Sequence, residues 1–209
     1  MSTVNRIAYY QNRRDEVPNQ ELAKELADKR DKRGVREIAQ NLWHENANVR
    51  SDCLKVLYEL GYLNPALIAP YVDDFLKLIQ DRNNRLVWGG MIALSTIADL
   101  KADEIYAHYD DLLRVLEHGS IITIDNGVKT LAIVAAKSDV YRKRIFPYLS
   151  QHLATCRPKD VPQHAEKSVV AVNATNKAEF IRTLEQRLPD LKGTQLTRVN
   201  KVIKEAAAR

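Results

Sequence analysis

The feature that most constrains this chain is a recurrence every 37 residues, clearest between Asn48 and Val134. Leu54, Leu57 and Leu60, with Cys53 and Val56 among them, have the three-and-four apolar spacing of one buried helix face. Val56-Leu57 maps on Ala93-Leu94 and then on Thr130-Leu131, and Leu60 maps on Ile97 and Val134. Cys53 maps on Gly90 and Gly127, a column of small residues that predicts close approach of a neighbouring helix. The preceding helix keeps the same register. Ile68-Ala-Pro-Tyr-Val-Asp-Asp-Phe-Leu-Lys-Leu-Ile79 aligns with Ile105-Tyr-Ala-His-Tyr-Asp-Asp-Leu-Leu-Arg-Val-Leu116. A looser copy lies at 145–153, and Val35, Ile38 and Leu42 fit an earlier one. Self-similarity at this period belongs to stacked helical units, each burying an apolar face on its neighbour.

The turns extend the pattern. Asn46-Ala-Asn-Val-Arg50 opens one second helix, and Asp81-Arg-Asn-Asn-Arg-Leu-Val87 keeps the Asp and Asn while losing the Arg before the next. His118-Gly-Ser-Ile-Ile-Thr-Ile124 keeps neither. Together these residues resemble HEAT-type repeats of the armadillo/HEAT superfamily, over roughly Asn19 to Asn173. The resemblance implies an all-α fold, a right-handed α-α superhelix (solenoid) of about four to five HEAT-like helical hairpins. It implies a single repeat domain over 1–209, with an amino-terminal arm at 1–18, repeats at 19–174 and a capping helical pair at 177–209. It is nearly silent about activity.

Composition agrees with that class. Hydrophobic residues make up 45% and charged residues 28%, ordinary for a globular chain. Seven Gly and seven Pro are too few for a β-rich or disordered one. The net charge of +5 is concentrated at the end of the chain. Residues 177–209 hold eight basic and four acidic side chains, leaving the body nearly neutral. Two cysteines, Cys53 and Cys156, supply neither a disulfide framework nor a metal spacing. They favour a reducing, cytoplasmic setting. Residues 1–18 lack a signal-peptide core, and no run is long enough to span a bilayer, so no membrane role is expected.

Taken in order, residues 1–14 read as a short helix on the first repeat or a frayed arm. Asn19 reads as the N-cap of a helix over 20–31. The charged corner 29–33 reads as a solvated turn or a phosphate-binding corner. Helices follow over 34–46 and 47–61, with Trp43 predicted inside the first repeat. Asn64-Pro65 starts the next one, with Pro70 within a turn of that start. The pattern then runs over 71–80, 85–100, 102–117 and 121–137. Ser120 to Ile124 is β-branched and locally strand-like, yet the repeat register makes it a helix opening. A helix over 140–155 is interruptible at Pro147. A fourth repeat continues through Ala174 after a one-residue slip in phase. Helices over 177–188 and 194–208 close the chain, the last with Leu196, Val199, Val202 and Ile203 as its apolar stripe.

In HEAT-like solenoids the second helices line one concave face, so their outward positions are the candidate surface. One column is Lys55, Ile92, Lys129 and Lys167; a second is Ser51, Trp88 and Asp125; a third is Asp52, Gly89 and Asn126, with His164 near it. A fourth, at the turn, is Asn48, Arg85 and Ile122. Trp88, among polar counterparts and beside Arg50 and Arg85, reads either as a stacking platform or as packing against a neighbouring repeat or the arm. The lysines read as a phosphate-tracking ladder or as a solvated face. The partner-binding set is therefore Arg50, Lys55, Arg85, Trp88, Asn126, Lys129, His164 and Lys167.

Catalytic and metal signals are weak. Asp73-Asp74 and Asp110-Asp111 recur at the repeat period, and adjacent helical residues diverge by about 100°, which suits a solvent-facing role near a helix start. The five histidines do not cluster by motif; His44 and His118 occupy equivalent turn positions with no carboxylate or second His at ligand spacing on one helix, and His44-Glu45 is one pair where helical-repeat di-iron hydroxylases carry several. Alkylpurine DNA glycosylases built on HEAT-like repeats carry Trp and Asp one turn apart on one helix; here Ile92 follows Trp88 and Asp125 lies a repeat later. The reading is a non-enzymatic scaffold, monomeric or weakly self-associating, without catalytic, cofactor or metal residues, binding a protein partner through the second-helix face. The alternative is a nucleic-acid-binding or DNA-base-processing protein with a positive groove joining Trp88, the lysines and the basic carboxyl end.

Overall fold

The computed structural model describes residues 2–209, and among these it contains α-helices and short 3-10 turns but no strand. Two compact units divide it, Met1–Gly127 and Val128–Arg209.

The first unit begins with an ordered arm. Val4–Arg6 forms a 3-10 turn. The Thr3 and Val4 amides donate to the Glu37 carboxylate at 3.1 and 3.2 Å, and Ile7 and Ala8 are buried. Helix α1 (Val17–Lys29) starts three residues before the expected boundary, with Pro18 in its first turn. Asn19 is not its cap. The side chain is buried, and its Oδ1 accepts the Ala8 amide at 2.9 Å, fixing the arm to the first helix.

Helices α2 (Lys32–Gln40), α3 (Ala47–Leu63), α4 (Val72–Leu78) and α5 (Asn84–Ile97) follow. Then come α6 (Ala102–Ala107), α7 (Tyr109–Glu117) and the opening of α8 (Ile121–Lys137). The repeat is visible in the caps. Asn46 Oδ1 accepts from the Asn48 amide and Asn83 Oδ1 from the Arg85 amide, both at 2.9 Å. Ser120 Oγ accepts from the Thr123 amide at 3.3 Å. These three caps stand at the 37-residue spacing and satisfy amides that helix starts leave open. They also explain why the β-branched run after Ser120 is helical. The charged corner is likewise a cap, with Asp31 accepting the Arg33 and Gly34 amides.

Packing follows the register. Helices α1, α3 and α5 lie side by side, with α2 against α3 and α4 against α5. The small column is where helices meet. Cys53 is fully buried; a Cβ on Gly90 would sit 3.2 Å from the Phe75 carbonyl oxygen and the Leu78 Cβ, and one on Gly127 would run into Leu116. The expected single helix over 102–117 is two, broken at His108, one repeat after the Tyr71 that precedes α4. Pro70 accounts for the first break, because proline removes an N–H and restricts the residue before it. The second break copies it without a proline.

Trp43 differs from expectation. It is 50% exposed, and its indole N–H donates to Asp74 Oδ1 at 2.9 Å. It ends a 3-10 turn (Asn41–Trp43) after α2, so the residue that helical phase would turn inward faces outward.

The second unit contains the rest of α8, then α9 (Asp139–Thr155), α10 (Val161–Ser168), α11 (Lys177–Arg187) and α12 (Thr194–Ala207). Pro147 does not interrupt α9. Helix α10 continues as a 3-10 turn, Val169–Ala171. Helix α12 packs on α10 and α11 through Val199, Val202 and Ala206. Phe146 and Phe180 face each other with ring centroids 6.4 Å apart, and Ser150 shares a hydrogen bond with Thr183 at 3.2 Å.

Candidate functional site

In the first unit, the ridge formed by α3 and α5 is not bare. The arm lies across it. The Tyr9 amide donates to Asp52 Oδ2 at 2.7 Å, and Asn46 Nδ2 donates to the Tyr9 hydroxyl at 2.7 Å. Glu16 reaches Lys55 at 2.8 Å and Arg85 at 3.7 Å. Lys55 is only 7% exposed, pairs also with Glu59 at 2.7 Å, and stands 4.8 Å above the Tyr58 ring. Burial opposes its charge, but Glu16 and Glu59 outweigh that and hold it protonated beyond the usual lysine range. Its column mate Ile92 is buried as well. Two expected outward positions are therefore inside, Lys55 because α1 and the arm's Glu16 pack on α3.

The remaining ridge residues stand around this contact. Trp88 is half-buried, its ring 6.2 Å from Tyr58 and tilted by 57°. Arg85 keeps half of its side chain in solvent. Arg50 lies 4.0 Å from Asp81 and carries a buried Nε without a hydrogen-bond partner. Asn126 accepts from Ser95 Oγ at 3.3 Å and donates to the Ile122 carbonyl. A groove of about 800 Å³ runs between the arm and the openings of α3 and α5, bounded by Tyr9, Tyr10, Arg14, Asn48, Asp52 and Arg85.

In the second unit, Lys129 and Lys167 are half-buried, and burial lowers the Lys129 pKa. The basic last helix is partly neutralised. Arg198 grips Glu166 through two hydrogen bonds of 2.8 and 2.6 Å, which depresses the Glu166 carboxyl and raises Arg198. His164 is 2% exposed. It faces inward, and its Nδ1 lies 2.8 Å from His152 Nε2. The Cys156 thiol joins them, with the three donor atoms within 4.8 Å of one another. The expectation of scattered histidines is thus corrected. His152 and Cys156 are four apart, so they share a helix face. That half was legible in the sequence. His164 arrives from α10 only through folding.

No protein-family model and no curated protein matches the chain. Solved structures do. A designed armadillo repeat protein in complex with the peptide (KR)4 superposes with a TM-score of 0.70 at 14% identity, covering 90% of this chain and 86% of that one. An engineered protein from the Northeast Structural Genomics Consortium matches at 0.67 and 16% identity, covering 100% and 98%. A second from the same consortium matches at 0.62 and 15%, covering both chains in full. The chain has an armadillo/HEAT-like repeat fold. At these identities the likeness carries the all-α solenoid architecture alone, and the site has to be argued from its own residues. No described helix is long and apolar enough to cross a membrane.

Proposed function

We propose that this armadillo/HEAT-like protein is a non-enzymatic cytoplasmic scaffold that binds an acidic, extended protein segment along the α3–α5 ridge. The observation that carries the reading is Glu16. An irregular stretch of the chain's own arm lies on the ridge, and its carboxylate bridges Lys55 and Arg85 while a backbone amide meets Asp52. A ridge that holds one such segment has the chemistry to hold another: cations for a carboxylate, a carboxylate for an amide, and the half-buried Trp88 for an apolar or aromatic side chain. Arg50, Arg85 and Trp88 are its contact residues, with Asn126 further along. The designed armadillo neighbour is in complex with a basic peptide; the cations here favour the opposite charge. The two reduced cysteines fit a cytoplasmic setting.

The nucleic-acid alternative draws less support, because Lys55 is buried and paired and Arg198 is engaged by Glu166. The test is a fluorescence and anisotropy titration of the full chain with a Glu-rich peptide, with (KR)4 and with single- and double-stranded DNA, at low and moderate salt. The expected result is saturable binding of the acidic peptide alone, lost in Arg85→Ala and without its fluorescence change in Trp88→Phe. Trp43 is half-exposed, so a Trp43→Phe background isolates the Trp88 signal. Salt-dependent binding of DNA that also needs Trp88 would transfer the ridge to nucleic acid.

A further inference from the structure

We propose that His152, Cys156 and His164 in the second unit form a binding site for one borderline-soft divalent metal ion, with zinc the ion their donor chemistry fits best. The site is separate from the ridge and does not depend on it. Three side chains of the types that bind zinc converge from two helices, with donor atoms no more than 4.8 Å apart. Two imidazoles and a thiolate match zinc and neighbouring transition ions and are poor ligands for magnesium or calcium.

The geometry asks little of the backbone. Zinc holds nitrogen at about 2.0–2.1 Å and sulfur at about 2.3 Å, so donors around a tetrahedral ion lie roughly 3.3–3.6 Å apart. The His152 Nε2 to His164 Nδ1 separation of 2.8 Å has to open slightly, and the Cys156 sulfur, within 4.8 Å of both, has to close on the pair. Both are side-chain rotations. The main chain beneath is already held. The Cys156 amide closes the last turn of α9 on the His152 carbonyl at 2.8 Å. The buried Arg187 donates to the Leu153 and Cys156 carbonyls at 2.6 and 2.8 Å. Outer contacts of this kind orient ligands and tune affinity. His152 and Cys156 are only half-buried, which provides an entry path, while His164 closes the inner side. Three protein donors leave one position of a four-coordinate ion for water or for a donor from a bound partner.

Without metal, the same two rings are two imidazoles sharing one hydrogen bond, and the experiment separates these states. The 209-residue chain, kept reduced with a phosphine, is titrated with cobalt(II) and then with zinc. The expected result is one equivalent bound, with thiolate-to-cobalt charge-transfer absorption and the visible bands of a four-coordinate ion. Zinc displaces both; magnesium and calcium displace neither. Cys156→Ser abolishes the charge-transfer band, and His152→Gln weakens binding by at least about tenfold, since losing a ligand costs no less than losing an outer-shell partner of one. Circular dichroism confirms that each variant folds, and His152 is the variant to rely on if Cys156→Ser does not. Cys53→Ser, fully buried in the first unit and outside the cluster, leaves the titration unchanged. No saturable binding, or a cobalt spectrum that survives both Cys156→Ser and His152→Gln, overturns the proposal and leaves only the hydrogen-bonded histidine pair.

Discussion

Single residues carry electrostatic and chemical asymmetries that can be tested separately. Glu25 sits between Arg6 and Lys29, whose hydrogen bonds hold its carboxyl down from 4.5 to about 2. A depressed carboxylate adds stability above its unfolded pKa and loses it as pH falls through the folded one. The melting-temperature gap between the wild type and Glu25→Gln is therefore expected to be full at neutral pH and to close as pH drops from 4.5 towards 2. The carboxylate and Arg6 are partly exposed and Lys29 is exposed, so salt should narrow the gap too. The thiols differ as sharply. Burial pushes Cys53 up to about 12 and leaves it no access to solvent, while Cys156 is half-exposed though also raised by burial. Iodoacetamide on the native protein should label Cys156 and spare Cys53 until the chain unfolds, as mass spectrometry of the peptides would show. The packing role of Cys53 was legible from its column mates, Gly90 and Gly127. Around Cys156 only His152, four residues back, was legible; His164 was not, because it lies eight residues on and across a loop.

At the scale of elements, register dominates local preference. The β-branched opening of α8 is helical because the repeat places an N-cap and an apolar face there, and tertiary burial outweighs weak propensities. The caps recur with the same period, so Asn83→Ala should cost about 1 kcal/mol, measured by denaturant unfolding. The small column is more demanding. Gly90 faces the backbone oxygen of Phe75 and the Cβ of Leu78, neither of which can swing aside. Gly90→Val should destabilise by about 1–3 kcal/mol through overpacking. The break between α6 and α7 was not legible, since no proline marks it; it copies the geometry that Pro70 enforces one repeat earlier. Trp43 was misplaced for a related reason. Helical phase was extended through residues that form a 3-10 turn, and the change in turn carried the indole outward to Asp74.

For the whole molecule, the arm is the element that changes the functional reading. Residues 9–16 lie on the ridge that would otherwise be open, so a partner competes with the chain's own segment. Glu16→Ala should therefore tighten acidic-peptide binding severalfold in anisotropy titrations, a bound set by the ~1 kcal/mol that a surface ion pair is worth. If Glu16 has no role on the ridge, the affinity will not move. The two compact units carry different chemistry: a charged ridge occupied by the arm in the first, and a His-Cys-His cluster in the second.

The sequence by itself determined the all-α repeat architecture, the 37-residue register, the small packing column and the terminal helical pair. Each of these is periodic, and burial of a helix face writes its period directly into the order of residues. Only the tertiary structure decided what lies on the repeats. It laid the arm over Lys55 and Asp52, turned Trp43 out, and brought His164 to His152 and Cys156. Such contacts join residues from different elements at no fixed spacing. The period records which residues face the core, and says nothing of which segment covers a surface or which side chain crosses a loop to meet another.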